Sequence, residues 1–343
     1  MPADARTGQA TGQYCPYMNK WRSARTRFRR SLFGTAACAA AVTVLAASTP
    51  AAAKTGPEQS NFMPALGHSI LNLDLDPPGA NDWSCRPDAA HPRPVVLVHG
   101  TYENRYNNWA RMAPRLKDQG YCVYALDYGD TDDAGVSLGA AVKGYGDIKQ
   151  SSGELAAFVD KVLAASGSKQ VDLVGHSQGG ILARWYVQEL GGANPADPSG
   201  NKVKKVVQLG TPNHGTTLSG IETLADAFGI LESGAQMLGK AGVQMYEKSE
   251  FIKELNARGD TVPGVDYTVI ATKYDEISTP WRNGFLTAGP GATVRNVTLQ
   301  DGCPVDLSSH MGLSYSPRGI GLVEQALDTS APAAPCVPQA PIL

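Results

Sequence analysis

The chain has 343 residues, 42% of them hydrophobic and 18% charged. That is enough apolar material for one large domain with its own core, and it excludes a globally disordered chain. Seven of the 30 basic residues but only one of the 32 acidic ones precede Lys54, so residues 54–343 hold 23 bases and 31 acids, a net of −8 beneath the whole-chain −2; an acidic surface without clustered Lys/Arg argues against nucleic acid as a partner.

Residues 1–53 read as an export leader. Arg22, Arg25, Arg27, Arg29 and Arg30 form a basic region, residues 32–47 are uncharged and Ala-rich, and Ala51-Ala52-Ala53 offers small residues for cleavage after Ala53. The expected mature chain, 54–343, is secreted, with no integral membrane segment. Arg29-Arg30 is continued imperfectly as a twin-arginine signal by Ser31-Leu32-Phe33, and Met18 offers an alternative start. Cys15 and Cys38 fall in the leader, Cys38 too early in its apolar stretch for lipidation. Cys85, Cys122, Cys303 and Cys336 remain, and four cysteines allow three pairings. An exported chain favours disulfides, and the expected pairs, Cys85–Cys122 and Cys303–Cys336, join near neighbours in the expected topology.

Residues 54–92 are Pro- and Asp-rich with few periodic signals, and are expected to wrap the domain edge. The run Val95-Val96-Leu97-Val98 reads as a buried strand. Residues 108–119 have helical spacing, with Trp109, Met112 and Leu116 on one side and Gly120 as the stop. A second strand is expected over 121–126, and an amphipathic helix over 151–165, opened by a capping box from Ser151 to Glu154. Strands over 171–174, 203–209, 267–271 and 292–299 and helices over 179–190 and 318–327 follow. This alternation predicts an α/β fold, a mostly parallel sheet with helices on both faces. Residues 215–258 break the rhythm with short helical patterns around Leu224, Phe228, Ile230, Leu231 and Met237, read either as a lid or cap or as an ordinary packed insertion. The Pro/Ala-rich tail, 330–343, is expected to be irregular, tied down only through Cys336.

Gly175-His176-Ser177-Gln178-Gly179 follows an apolar strand and opens a helix. This Gly-x-Ser-x-Gly elbow lifts Ser177 above the sheet edge on a strained turn, and Gly175 and Gly179 let strand and helix approach. A serine nucleophile needs a general base, itself oriented by a carboxylate, in the order Ser, acid, His. Of six histidines only His214 and His310 follow Ser177; His310, in a loop between the last strand and last helix, is the expected base. Asp275, close behind the strand over 267–271, is the expected acid; Glu276, Asp301 and Asp306 are its rivals. The oxyanion hole is expected from the backbone N–H groups of Gln178 and Thr101, the latter in the loop after the first strand. His99 is expected to brace that loop, and His68-Ser69 lacks the x-Gly that an elbow needs.

The chain resembles the secreted bacterial triacylglycerol lipases and esterases, especially the actinobacterial lipase class 2 group. The resemblance is carried by Val96-Leu97-Val98-His99-Gly100-Thr101, Gly175-His176-Ser177-Gln178-Gly179-Gly180, Leu209-Gly210-Thr211-Pro212-Asn213-His214-Gly215-Thr216, Asp275 and His310, spanning about residues 94 to 315. It implies the α/β-hydrolase fold, an acyl-enzyme mechanism, no organic cofactor, ester substrates with apolar acyl chains and contact with a lipid–water interface. Some related families bind a structural calcium near the histidine loop. Asp301 and Asp306 lie nearby without a legible ligand set, so no metal is expected. Trp109, Trp185, Trp281, Phe285 and Met311 are either pocket lining or core. A triacylglycerol lipase is the leading reading. A short-chain esterase, a polyester hydrolase, an extracellular acyltransferase and a non-catalytic lipid-binding protein on the same scaffold are the alternatives.

Overall fold

The computed structural model describes residues 54–130, 141–227 and 239–342. The expected leader and its cleavage site lie outside these residues, as do Phe228, Ile230, Leu231 and Met237 of the expected insertion. Two short strands, β1 (Lys54–Thr55) and β2 (Leu75–Asp76), pair in parallel across helix α1 (Phe62–Leu71). Asn61 caps α1, and the helix buries Phe62 and Ala65. The sequence pattern passes over α1 because its outward positions are also apolar. Met63, Ile70 and Leu71 are exposed, so no polar stripe marks the helix period.

The main sheet holds β3 (Val95–Val98), β4 (Val123–Leu126), β5 (Val171–His176), β6 (Val203–Leu209), β7 (Asp266–Ala271) and β8 (Thr293–Thr298). Their order is β4-β3-β5-β6-β7-β8, and every neighbouring pair is parallel. In β3 all four side chains are buried, as a strand covered on both faces requires. Val95 and Leu97 face a layer with Met112, Leu116, Ile320 and Val323, while Val96 and Val98 face Leu155, Val159, Ile181 and Tyr186. Strand alternation thus divides one apolar run between two cores.

The helices over those cores are α2 (Arg105–Trp109), α3 (Met112–Asp118), α4 (Ile148–Ser166), α5 (Gln178–Glu189), α6 (Leu218–Ala227), α7 (Gly239–Gln244), α8 (Glu250–Asn256) and α9 (Pro317–Leu327). The single helix expected over 108–119 is two, α2 and α3, separated at Ala110-Arg111. Pro114 supplies the reason: in one continuous helix its ring would meet the carbonyl of Ala110, whereas a restart at Met112 puts it in the first turn. Helix α4 opens at Ile148, not Ser151. Asp147 caps it by accepting from Lys149 N at 2.9 Å and Gln150 N at 3.1 Å, and Glu154 instead accepts from Gly129 N at 3.2 Å.

The chain runs from β3 outward to β4 and returns to β5 on the other side of β3. At such a reversal the loops leaving the two central strands diverge and open a crevice beyond their C-terminal ends. Val98 lies beside Gly175 in the β3–β5 register, so the loop carrying Thr101 and the turn carrying Ser177 start side by side. Disulfides join Cys85 to Cys122 and Cys303 to Cys336, with Cα separations of 5.7 and 5.3 Å. The second bridge holds the tail, where Leu307 N donates to Gln339 O at 3.0 Å and Ile342 N to Ser309 Oγ at 2.9 Å.

Candidate active site

Ser177 stands between β5 and α5 with φ 52° and ψ −124°, a left-handed strained backbone for a non-glycine residue. Its N–H donates to Leu209 O at 2.8 Å, pinning the turn to the end of β6. A Cβ on Gly179 would lie 2.1 Å from Val98 O, and one on Gly175 would lie 2.5 Å from Gly180 N. Only glycine at both positions lets helix and strands close around the serine.

The loops after β7 and β8 carry Asp275 and His310. Asp275 accepts from Ile277 N at 3.1 Å and Ser278 N at 2.6 Å through Oδ1, which folds its loop back over the sheet edge. Both its oxygens face His310 Nδ1, at 2.9 and 3.0 Å. The pair is buried. The His310 ring lies against Gly210, the residue after Leu209: a Cβ there would come within 3.1 Å of Nδ1. Ser177 and His310 are therefore gathered at the same strand end. Among the described residues His310 Nε2 is buried and meets no hydrogen-bonding partner. With Nδ1 committed to a carboxylate, Nε2 is the nitrogen free to take a proton. Burial pulls the His310 imidazole down, but the charge and hydrogen bond of Asp275, with Glu276 and Glu103 behind, outweigh it and raise its pKa above the usual histidine value.

The rival acids have other work. Glu276 Oε2 accepts the backbone N–H of His310 at 3.3 Å, and burial raises its carboxyl. Asp301 is exposed. Asp306 accepts from Ser308 N at 3.0 Å and from Ser316 Oγ at 2.6 Å. Thr101 and Gln178 are joined by a side-chain hydrogen bond, Thr101 Oγ1 to Gln178 Oε1, at 2.5 Å. Gln178 opens α5, so its N–H is one that a helix start leaves without an intrahelical partner. His99 is buried, with Nδ1 2.8 Å from Gly100 O and its ring stacked 4.2 Å from that of Tyr128. Ser69 lies in α1, its hydroxyl donating to Leu66 O at 2.8 Å.

The Thr211–Thr216 motif braces its surroundings. His214 Nε2 is 3.0 Å from Asp260 Oδ1 and Nδ1 is 2.9 Å from Asn283 O. Arg184, fully buried and brought down to about 10 by burial, donates to Asn213 O at 3.1 Å. Trp109, Trp185 and Met311 are core, while Trp281 and Phe285 pack edge-to-face, half-buried, with ring centroids 5.5 Å apart. Sequence reasoning passed over Glu103, a buried carboxylate four residues past His99 with no recognisable motif. Among the described residues no three His, Cys, Asp or Glu side chains converge as metal ligands, and no helix is long and apolar enough to cross a membrane.

Comparison with known proteins adds family and fold. The family described as Lipase (class 2) matches residues 92–315. A triacylglycerol lipase of Burkholderia plantarii is 29% identical over 159 residues, 45% of this chain and 38% of the relative. One of Pseudarthrobacter phenanthrenivorans is 31% identical over 133 residues, 37% of this chain and 35% of the relative. The matched stretches thus span little more than a third of these relatives' lengths. Aspergillus fumigatus lipase B is similar in fold, with a TM-score of 0.57 over 75% of this chain and 56% of that one at 20% identity.

Proposed function

The chain belongs to the class 2 lipase family, and from that premise we propose that it is a secreted serine hydrolase of carboxylic esters, those of lipids foremost, acting through an acyl-enzyme on Ser177. The observation that carries the reading is the His310 imidazole, held at Nδ1 by Asp275 and unpartnered at a buried Nε2, at the strand end where Ser177 sits on a strained turn.

In the forward step Ser177 Oγ attacks the ester carbonyl and its proton passes to His310 Nε2. Negative charge develops on the carbonyl oxygen, where the N–H groups of Thr101 and Gln178 stabilise it, aided by the N-terminus of α5. Collapse breaks the bond to the alkoxy oxygen, which leaves as an alcohol with the proton from His310. His310 then takes a proton from water, whose oxygen attacks the acyl carbon, and the acid leaves as Ser177 recovers its hydroxyl. Asp275 keeps the imidazole in one tautomer and offsets its charge throughout.

Residues 1–53 serve in this reading as the removed signal peptide and 54–343 as the catalytic domain. Two disulfides support export. Residues 215–258, either a cap or an ordinary packed insertion, bring Met245 Sδ to 3.7 Å from Thr101 Oγ1.

The test is hydrolysis of p-nitrophenyl esters from acetate to palmitate, with Ser177→Ala beside the wild type and mass spectrometry after a fluorophosphonate. Expected are activity extending to long chains, one adduct on Ser177, and a loss on the order of 10⁶-fold in the variant. Wild-type turnover by Ser177→Ala sinks the assignment. Activity on short chains alone moves the substrate to small esters, and acyl transfer to an added alcohol in preference to water makes the protein an acyltransferase.

A further inference from the structure

Behind Ser177 lies a second carboxylate–imidazole pair that the mechanism above does not use. Glu103 and His176 are both buried, and Glu103 Oε2 is 2.8 Å from His176 Nδ1. The other ring nitrogen, Nε2, is 3.1 Å from the backbone carbonyl of His310. Glu103 Oε2 also accepts the N–H of Gly100 at 2.7 Å, and Oε1 accepts from Asn108 Nδ2 at 3.1 Å. Asn108 Nδ2 further reaches Ser314 Oγ, in the His310 loop, at 3.2 Å and lies 3.1 Å from His176 Nδ1. A Cβ on Gly100 would lie 2.3 Å from Glu103 Oε2, so glycine there is what admits the carboxylate.

A carbonyl oxygen only accepts, so His176 Nε2 carries a hydrogen toward His310 O. Among the described residues Glu103 has an ion-pair contact with His176 and none with an Arg or Lys, and a buried carboxylate needs its charge met. His176 Nδ1, the Gly100 N–H and Asn108 Nδ2 surround it. Among the described residues, His310 itself, Tyr128, Tyr315 and His99 feel Glu103. Burial keeps both phenols and His99 in their uncharged forms. Asp275 at the ring and Glu276 at the backbone N–H also act on His310. The pair therefore spans three loops at once: the Gly100-Thr101 oxyanion loop, the nucleophile elbow and the His310 loop.

We propose that Glu103 and His176 are positioning residues of the Ser177 site, a proton-sharing pair that fixes the His310 loop against the oxyanion loop, with His176 offsetting part of the Glu103 charge that reaches the base. The proposal rests on the serine-hydrolase reading, and the wild type's own activity separates the two: an inactive, unlabelled wild type fails that reading and leaves the pair unaddressed by kinetics but visible by NMR.

The experiment compares wild type, Glu103→Gln, His176→Gln and the double variant by kcat, KM and the pH profile of kcat/KM, with folding checked by near-UV circular dichroism. His176→Gln leaves the Glu103 charge to act on His310. Its kcat falls about tenfold at little change in KM, as loss of a charge-assisted hydrogen bond implies, and its acid limb moves up by about one pH unit. Glu103→Gln lowers kcat with the limb in place, and the double variant returns the limb to the wild-type position. A wild-type profile in His176→Gln, or a double variant displaced as far as His176→Gln, overturns the proposal. If the His176 variants do not fold, ¹⁵N-histidine NMR of the wild type decides: a slowly exchanging, far-downfield proton on His176 Nδ1 supports the pair, and an Nδ1 without a proton-sharing signal overturns it.

Discussion

Asp275 grips the side chain of His310 with both carboxylate oxygens, 2.9 and 3.0 Å from Nδ1, while its neighbour Glu276 takes the His310 backbone N–H at 3.3 Å. Adjacent carboxylates thus divide between ring and backbone. Asp275→Asn offers Nδ1 an amide instead of a charge and should cut kcat by about 10³–10⁴-fold, whereas Glu276→Gln should stay within about tenfold. A Glu276→Gln loss as large as that of Asp275→Asn, measured on a short-chain ester, would exchange their roles.

The raised His310 pKa sets the pH dependence. The imidazolium cannot accept a proton, so kcat/KM should rise with pH through that elevated value and level off above it. Removing the Asp275 charge should bring the residual acid limb of Asp275→Asn to lower pH. An acid limb that shifts upward, or does not move, would mean that another group titrates in the profile.

A second imidazole should report in stability. The hydrogen bond to Asp260 raises His214, and Asp260 is lowered, burial opposing but His214, Thr287 N–H and Arg184 prevailing. For His214 the stabilisation is present below the unfolded histidine value and disappears as pH climbs through the raised folded one. For Asp260 it is present above the unfolded carboxylate value and disappears as pH falls through the lowered one. The pair should therefore contribute most between roughly pH 4 and 6.5. The melting temperature of His214→Gln should fall further below wild type at pH 5.5 than at pH 8.5; a gap equal at both would show that the pair's charge is immaterial.

The Cys303–Cys336 bridge fastens a tail that itself bonds to the base loop, through Leu307 N to Gln339 O and Ile342 N to Ser309 Oγ. Replacing both cysteines by serine should cost about 2–5 kcal/mol. Hydrogen exchange should speed up over 305–313 together with the tail. Faster exchange confined to residues beyond 330 would mean that the tail merely rests on that loop.

Gly179→Ala tests the close approach of α5 to β3, since its Cβ would lie 2.1 Å from Val98 O. Both partners are backbone, so the helix start must move. The expected outcome is a loss of at least about 1–3 kcal/mol in denaturant unfolding, together with lower kcat. Wild-type stability would mean that the elbow has slack.

How much of this was legible beforehand follows from what each feature depends on. The six strands of the main sheet stand within a few residues of their expected ranges; β3 and β4 are continuous apolar runs because every position is buried, whereas the mostly exposed edge strand β8 is marked by its β-branched residues instead. The Ser177 turn was equally local: two glycines around a serine, between strand and helix, describe their own geometry. Helix α1 escaped because its exposed side is as apolar as its buried one. The start of α4 was misplaced because Asp147, not Ser151, satisfies the first N–H groups, a choice that local sequence offers twice.

Position behind a strand pointed to Asp275, with Glu276, Asp301 and Asp306 as rivals, but local sequence does not say which of the four meets the His310 ring. Asp275, Glu276, Asp301 and Asp306 are near one another in the chain and similar in chemistry; the β7–β8 register and the fold of two loops send Asp275 to the His310 ring, Glu276 to its backbone, Asp301 to solvent and Asp306 to Ser308 and Ser316. Glu103 was invisible for the same reason. Nothing within its own segment says that residue 103 will meet residue 176, since that contact exists only once β3 and β5 lie side by side. Local patterning determined the elements and the strained Ser177 turn of this protein; pairings across dozens of residues, which only packing enforces, decided which polar groups surround that turn.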